Sequence, residues 1–575
     1  MQKKQIVWIL VIIFIVAGIM RLWALGQGDP MGDEVLYAFR AVGMLDFDEA
    51  NEQTTPPEWF DPLVHSSGRV PEVYAIGTGV PWWTKLSFHD HPPLVFLIQH
   101  VFMRIFGESA FVFRLPSALL GIVSVYLLFL IGKTLFSEKV GLLAAALSAV
   151  NTHHLFISRL GLQEAYVVFF LLLASYLFLR SFESDSFFIW TGAALGFGFL
   201  TKYTTFILAP IFFTYLLLYK RDAFLNKKFW IGALIALLLF SPVIIYNLQL
   251  YRAVGHFDFQ FSHVFGQNPE AWQVAPGKEI GTLGGRVREF IPALFDANSW
   301  IFGAFALLSL FFLRNAFLWI AIIFLTGLIV VFLGPSSRFL AMLTPALILS
   351  AANFLYQQKE NATHESLWRC FGILLFVLFV FFEAAYSANS LLLPYPQGPQ
   401  YWAFSPLRYE NFRWGYNELG AYLQNELAGK MPAFHFDMQY QFLNNLHEQA
   451  IEKAQQKKLQ PYPALILYDG NIDSIPQLWL LDRLNLYHAW PVIKIETFEN
   501  MMRENGDDYF LQIGFERYYV IIPTKNVPWK DNIYLTSYGS KLEEQLIARG
   551  MKPFIIVNQR GEEAFRIYQF KEFGV

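Results

Sequence analysis

Long apolar runs recur along this chain, each close to the length that a membrane-spanning helix needs. About 20 mainly apolar residues carry a helix across the hydrocarbon of a bilayer, and the first such run is 6–25. The further runs are at 111–136, 138–156, 161–180, 187–204, 205–219, 229–250, 299–313, 316–334, 338–356 and 367–390. Only 15% of the 575 residues are charged, against about 25% in an average soluble protein. The pattern predicts a polytopic α-helical membrane protein with about 11 transmembrane helices.

Basic residues predict the orientation of these spans, because the cytoplasmic loops of membrane proteins collect Lys and Arg. With this set of spans every inside connection is basic, including the cluster at 220–228. The apolar segment 92–106 is short for a span and is predicted to be an interfacial helix, since a twelfth span there would move the basic cluster outside. The N-terminus is therefore predicted to be cytoplasmic and the C-terminal domain extracytoplasmic, at the plasma or inner membrane of the cell.

The same pattern divides the chain into two predicted domains. Residues 1–390 form the transmembrane domain, with an outer loop at 26–110 that includes interfacial helices and a second outer loop at 251–298. Residues 391–575 form an external soluble domain of α/β character. Its predicted strands are at 464–468 and 518–522, and its predicted helices are at 415–428, 440–458 and 540–550.

Composition and missing motifs exclude several classes of protein. The formal net charge is −3, so nothing indicates a nucleic-acid partner. Cys370 is the one cysteine, which excludes an intramolecular disulfide and a Cys-based zinc site. The sequence has no phosphate-binding P-loop motif and no dinucleotide fingerprint after a strand, so nucleotide use is not indicated.

An acidic pair, Asp33-Glu34, lies a few residues beyond the first span. Acidic residues favour the first turn of a helix, so a solvated helix start is the simpler interpretation of the pair. The place of the pair, just beyond the point where the first span leaves the membrane, favours a functional interpretation.

Two histidine motifs lie in the predicted outer loops. His89 and His91 flank an Asp that could orient one ring, and Pro92-Pro93 follows. The simpler interpretation is that the prolines end one element and begin the interfacial helix, because two His alone are a weak metal site. His263 in the second loop lies among aromatic residues and is either a packed loop residue or a substrate contact.

Charged side chains lie at one end of several predicted spans. They are Arg114, Arg159, Glu164, Lys202 and Arg338. An ionisable group in a membrane segment is costly and is a functional candidate for that reason, although each long side chain could instead extend to the interface. In the predicted topology all lie at the outer face, where cations beside acids suit a substrate with an anionic phosphate and a reacting hydroxyl.

The order of these motifs resembles glycosyltransferase family 39, over roughly residues 1–350. The motifs in order are Asp-Glu after the first span, His-Pro-Pro-Leu at 91–94, Arg-Leu-Pro-Ser at 114–117, Ser-Arg-x-x-x-x-Glu at 158–164, Leu-Thr-Lys at 200–202 and Arg338 before a late span. That family has the GT-C fold and includes protein O-mannosyltransferases and the bacterial aminoarabinose transferases of lipid A. The external domain resembles no family in its motifs.

The resemblance implies an inverting transfer of a hexose or pentose from a polyprenyl-phosphate carrier to an acceptor hydroxyl at the outer face. It implies that Asp33 is the catalytic carboxylate, that Glu34 supports it and that Glu164 is the second acidic position. The residues that would line the donor phosphate site are His91, Arg114, Lys202 and Arg338. The acceptor could be a glycolipid, a cell-surface glycan or a protein, although the insertion that mannosyltransferases carry between later spans is missing here.

Two alternatives stay open from the sequence. A divalent metal ion near Asp33 and Glu164 fits the chemistry, but the number of ligands is too low to assign one. A transporter or flippase of lipid-linked sugars would also have many spans and buried charges. It should show inverted repeats and charges at mid-membrane, and neither is visible in this sequence.

Overall fold

The computed structural model describes residues 3–45, 80–267, 282–361, 366–407, 413–438, 440–530 and 533–571. Much of the first predicted outer loop, at 46–79, and part of the second, at 268–281, lie outside the described residues. The described chain forms two compact units. The first contains residues 3–25 and 82–407, and the second contains 26–45 and 413–571. By these contacts residues 391–407 group with the first unit, while the acidic pair belongs to the second.

Helices cover most of the described chain up to residue 391. They are α1 Lys3–Leu22, α2 Asp33–Gly43, α3 Leu94–Phe106, α4 Ala110–Leu135, α5 Glu138–Val150, α6 Thr152–Arg159, α7 Glu164–Arg180, α8 Ser186–Phe199, α9 Leu208–Tyr219, α10 Lys227–Val254, α11 Phe259–Val264, α12 Leu283–Ala297, α13 Trp300–Leu310, α14 Ala316–Gly327, α15 Ser337–Leu340, α16 Thr344–Asn361 and α17 Ser366–Leu391. Each predicted apolar run therefore coincides with one helix or with two consecutive helices.

Four helical stretches of the described chain are long and apolar enough to cross a membrane. They are α1, α4, the Lys227–Ala253 part of α10, and Ala316–Leu333, which is α14 with the turn after it. The bent pair α5–α6 is a fifth candidate. Since α3, α8 and α13 are apolar but shorter, the predicted number of spans stays a prediction.

The span predicted at 138–156 is bent, because the helix breaks at Asn151 and its two halves meet at 58°. A break inside apolar surroundings leaves backbone carbonyls that need donors. The fully buried Arg21 guanidinium donates to the carbonyl oxygens of Ser148 and Ala149 at 3.0 and 3.1 Å. The Asn151 side chain accepts from the backbone N–H of His154 at 3.0 Å and caps α6. Side-chain hydrogen bonds thus stabilise this break within the first unit.

The C-terminal part of the second unit folds around a mixed sheet. Its elements are α18 Tyr416–Leu427, β1 Lys430–Pro432, α19 Gln441–Gln456, β2 Gln460–Tyr462, β3 Ala464–Tyr468, α20 Ser474–Gln477, α21 Arg483–His488, β4 Val492–Lys494, α22 Ile495–Asn505, α23 Tyr509–Ile513, β5 Arg517–Pro523, α24 Ser537–Ala548, β6 Phe554–Val557 and β7 Glu563–Phe570. The strand order is β4-β3-β5-β7-β6, with β3 parallel to β4 and β5, and β7 antiparallel to β5 and β6. The strands predicted at 464–468 and 518–522 are present as β3 and β5.

The core of this sheet is apolar, and its central strand β3 is buried along its whole length. All five residues of β3 are buried, as a central strand of parallel neighbours should be. Leu467 and Val520 pack with Phe498 of α22 and Leu542 of α24 in one buried cluster. The continuous apolar runs in the sequence therefore predicted these strands correctly.

Candidate active site

Three charged side chains from distant parts of the first unit meet at one carboxylate oxygen. Lys202 Nζ lies 2.7 Å from Glu164 Oε1, and Arg338 Nε lies 3.0 Å from the same oxygen. The partners are 38 and 174 residues apart in sequence. We call these three residues the Glu164 cluster.

Local structure places each member of the cluster at the end of an element. Glu164 is the first residue of α7. Lys202 follows α8 in an extended conformation, with φ −164° and ψ 140°, just before the short 3-10 helix Tyr203–Ile207. Arg338 lies in the one-turn helix α15, whose N-cap, Ser336, accepts from the backbone N–H of Phe339. Charged side chains at helix ends can meet in this way without interrupting an apolar span.

The Glu164 cluster is largely withdrawn from solvent. The exposed fractions of the Glu164, Lys202 and Arg338 side chains are 3%, 13% and 23%. Glu164 Oε2 is buried without a hydrogen-bond partner among the described residues. The cluster itself has one more positive than negative charge, and charge-assisted contacts of Lys and Arg are strong ones for a phosphate. Its composition therefore suits the binding of an anion.

A second polar group lies directly after Lys202 in the sequence. The Tyr203 hydroxyl donates to Asp258 Oδ2 at 2.5 Å, and the Asn247 amide donates to the same oxygen at 3.0 Å. The other oxygen, Asp258 Oδ1, accepts from the backbone N–H of Phe261 at 2.9 Å. These bonds tie the end of α10 and the start of α11 to the residue next to Lys202.

Burial, with a smaller contribution from the nearby Asp90, raises the pKa of the Asp258 carboxyl to about 6. Donation from Phe261, Tyr203 and Asn247 favours the charged form and offsets part of this effect. Asp258 is fully buried, so its charge depends on these donors.

A histidine fixes the backbone next to Arg338. His153 Nε2 lies 2.7 Å from the carbonyl oxygen of Ser337, and the Thr344 hydroxyl lies 2.8 Å from His153 Nδ1. A carbonyl can only accept, so Nε2 carries the proton and Nδ1 accepts from the Thr344 hydroxyl. His153 on α6 thus holds the start of α15, the helix that presents Arg338.

Sequence reasoning missed Asp258 and His153. Asp258 stands between two phenylalanines just before a short helix, and His153 follows Asn151 in a polar stretch of an otherwise apolar run. Such polar residues inside apolar surroundings are the signal that could have indicated them.

The motif around Asp90 has the arrangement that its sequence suggested. Asp90 Oδ2 lies 2.9 Å from His91 Nδ1, and Asp90 Oδ1 lies 3.8 Å from His89 Nε2. The carbonyl oxygen of His89 accepts from the backbone N–H of Phe259 at 2.8 Å. This turn therefore meets the first residue of α11, the helix on which His263 is exposed. The substrate-binding roles of His89, His91 and His263 stay predictions.

The other two predicted cations bind backbone carbonyls at and just beyond the C-terminal end of α1. Arg114 Nη1 donates to the carbonyl oxygen of Leu25 at 3.0 Å. Arg159 Nη1 donates to the carbonyl oxygens of Met20, Arg21 and Trp23 at 3.0, 3.1 and 2.9 Å. The last carbonyls of a helix lack partners within the helix and carry partial negative charge, so cations here stabilise the helix end. Lys202 and Arg338 meet, while Arg114 and Arg159 have these main-chain partners, and their predicted role toward substrate stays a prediction.

The acidic pair lies in the second unit and begins α2. Asp33 is exposed, whereas Glu34 is 1% exposed. Glu34 Oε1 accepts from the backbone N–H of Met31 at 3.4 Å. Gly32 precedes the pair with φ +60°, a conformation that favours glycine. Asp33 is therefore the more accessible member of the pair, and its catalytic role stays a prediction.

Metal binding was left open by the sequence. Across the residues that the structure describes, no three or more His, Cys, Asp or Glu side chains are grouped to hold a metal ion. A divalent ion near Asp33 and Glu164 stays a prediction.

Comparison with known proteins assigns the fold. Residues 90–246 match the model of the family described as dolichyl-phosphate-mannose-protein mannosyltransferase, and this segment includes Glu164 and Lys202. The structure of ArnT from Cupriavidus metallidurans bound to undecaprenyl phosphate is similar over 99% of this chain and 98% of that chain, with a TM-score of 0.50 and 13% identity. The chain therefore has the GT-C glycosyltransferase fold, as its sequence predicted, and is an integral membrane protein.

Two proteins of Bacillus subtilis (strain 168), both provisionally named as mannosyltransferases, are similar to part of the chain. YkcB is 29% identical over 214 residues, which are 33% of this chain and 29% of YkcB. YycA is 32% identical over 170 residues, which are 29% of this chain and 24% of YycA. The chain thus spans less than a third of the length of either relative.

Proposed function

We propose that this protein transfers a sugar from a polyprenyl-phosphate donor to an acceptor hydroxyl, by inverting displacement at the outer face of the membrane. The observation that carries the proposal is the Glu164 cluster, with two cations that share one buried carboxylate oxygen. Support comes from the mannosyltransferase family match over 90–246 and from the likeness in fold to ArnT. The sugar is a hexose or pentose, and the acceptor is a lipid, a glycan or a protein.

The proposed reaction is a single displacement. The acceptor oxygen attacks the anomeric carbon while the bond from that carbon to the phosphate oxygen breaks. The electron pair of this bond leaves with polyprenyl phosphate, and the acceptor proton passes to the Asp33 carboxylate, with Glu34 in support. One displacement inverts the configuration at the anomeric carbon.

The Glu164 cluster meets the main electrostatic demand of this step. Negative charge grows on the leaving phosphate, and preorganised cations stabilise it most strongly where water is excluded. Lys202 and Arg338 supply the charge, and Glu164 holds both in place before the donor binds. His89, His91, Arg114, Arg159 and His263 complete the proposed set of substrate-binding residues.

The decisive experiment compares two cation deletions in the purified protein. Arg338→Ala should slow release of polyprenyl phosphate from a synthetic polyprenyl-phosphate mannose, because a hydrogen bond to a charged group contributes about 1.5–3 kcal/mol. The matched control is Lys133→Ala, which removes an equally short but exposed ion pair with Glu138.

The outcomes separate the functions. Unchanged turnover in Arg338→Ala would contradict the proposed role of the cluster. Movement of the donor across a vesicle membrane without release of polyprenyl phosphate would instead favour the transporter or flippase. Retention of the anomeric configuration in the product, read by NMR, would contradict the single displacement.

A further inference from the structure

Helix α2, which begins with the acidic pair, is packed into the second unit. Phe39 of α2 is buried in a cluster with Leu443 of α19 and Leu486 of α21. The rings of Phe39 and Tyr487 lie 5.1 Å apart between centroids. At Gly43 a Cβ atom would come within 2.2 Å of the Tyr487 ring, so no larger residue fits there without a shift. Apolar packing therefore fixes α2 at several points along its length.

The segment before α2 is held by a buried carboxylate. Asp29 is fully buried, and its oxygens accept from the backbone N–H groups of Trp414, Gly415 and Asn417 at 2.5, 3.2 and 2.9 Å. Trp414 and Gly415 come directly before α18 and Asn417 lies in its first turn, where the N–H groups have no partner within the helix. The Asp29 carboxylate therefore caps α18 from a distant part of the sequence.

The Asn417 side chain in turn binds the main chain just before Asp29. Its amide donates to the carbonyl oxygens of Gly26, Gln27 and Gly28 at 3.1, 3.1 and 2.9 Å. We call this reciprocal set of bonds the Asp29–Asn417 clamp. It holds both the main chain and a side chain of the segment 26–29.

Three residues separate the clamp from Asp33. They are Pro30, Met31 and Gly32. Pro30 has a restricted φ, and Gly32 takes the left-handed conformation that starts α2. With the clamp on one side and the packed helix on the other, little freedom remains for the backbone of Asp33.

We propose that the Asp29–Asn417 clamp is a positioning device for the Asp33 carboxylate. The inference rests on the proposed function, in which Asp33 takes the acceptor proton. A base is effective only within hydrogen-bond reach of that proton, and a shift of about 1 Å can cost on the order of 10²-fold in rate. The α/β part of the second unit thus serves catalysis through α2, and Asp29 and Asn417 are positioning residues.

The test uses Asp29→Ala and Asn417→Ala in the full-length protein. With a synthetic polyprenyl-phosphate sugar, kcat is expected to fall by on the order of 10²-fold. The KM for the donor should change little, because the proposed phosphate-binding cations Lys202 and Arg338 belong to the first unit. A general loss of structure would not produce this split.

Amide hydrogen exchange supplies a readout that needs no activity. In both variants the amides of α2 should exchange faster, while those of β3 and β5 stay protected. The matched control is Thr536→Ala, which removes the N-cap of α24 in the same unit and should alter neither kcat nor exchange in α2. Should Asp29→Ala not fold, Asn417→Ala leaves the Asp29 carboxylate in place and carries the test.

The failures are distinguishable. A wild-type protein that never releases polyprenyl phosphate refutes the proposed function, and hydrogen exchange then still tests the clamp. An active wild type, with both clamp variants matching Thr536→Ala in kcat and in exchange of α2, refutes the clamp alone.

Discussion

Replacing Glu164 by Gln should lower the free energy of unfolding much more than the same replacement in an exposed ion pair with a similar N–O distance. At 2.7 and 3.0 Å, an effective dielectric constant of about 20 corresponds to a gross attraction of roughly 5–6 kcal/mol per ion pair. Desolvation offsets most of it, and loss of one partner of a buried pair costs about 3–5 kcal/mol net. Arg338 keeps 23% exposure, so the lower end, about 3 kcal/mol, is expected.

The matched control is Glu138→Gln. Glu138 pairs with Lys133 at 3.0 Å, but the two side chains are 40% and 51% exposed. Exposed pairs contribute about 0–1 kcal/mol, so this variant should unfold nearly as the wild type does. The difference between the two variants therefore reports mainly the burial of Glu164 and its second cationic partner.

The assay is unfolding of the purified protein in detergent, with and without a short-chain polyprenyl phosphate. The ligand should stabilise Glu164→Gln more than the wild type, because Lys202 and Arg338 have lost their carboxylate and the phosphate replaces it. Equal destabilisation of Glu164→Gln and Glu138→Gln would refute the reasoning about burial. Equal stabilisation of variant and wild type by the ligand would refute phosphate binding at these cations.

Two further predictions concern the carboxylates. Asp33→Asn should lower turnover by about 10²–10⁴-fold while donor binding survives, and Glu34→Gln should cost less; near-normal activity in both would favour a plain helix start. Burial raises the pKa of Asp258 in the folded protein to about 6. The protonated carboxyl therefore stabilises the folded state, and this contribution is complete below the unfolded pKa near 4 and is lost as the pH rises through 6. Hydrogen exchange of α11, corrected for its intrinsic rate, should therefore slow on acidification, and Asp258→Asn should abolish this dependence.

The positions of the helices were readable from the sequence because hydropathy is local. The composition of each apolar run is enough to indicate a helix there. Helices α4 and α10 accordingly begin and end within a few residues of the runs at 111–136 and 229–250. The break inside the run at 138–156 was not readable for the same reason. At this break the Arg21 guanidinium donates to carbonyls that are 127 and 128 residues away in sequence.

The candidate site was readable only in part. The sequence indicated Glu164, Lys202 and Arg338 because charges at the ends of apolar runs are conspicuous. It indicated Arg114 and Arg159 with equal force, but not that these also donate to backbone carbonyls at and just beyond the end of α1. Residue type and spacing do not distinguish a cation that binds a helix end from one that meets a carboxylate.

The sequence by itself determined the positions of most helices, because burial in hydrocarbon is a property of each segment, and the order of its motifs indicated the GT-C fold through the resemblance to a known family. The tertiary structure alone decided which charges meet at Glu164 and which histidine holds the backbone at Ser337. It also decided that the segment before Asp33 is held by Asn417, 388 residues beyond Asp29. Such contacts depend on distances between segments, and ion pairs and hydrogen bonds act only over a few ångströms.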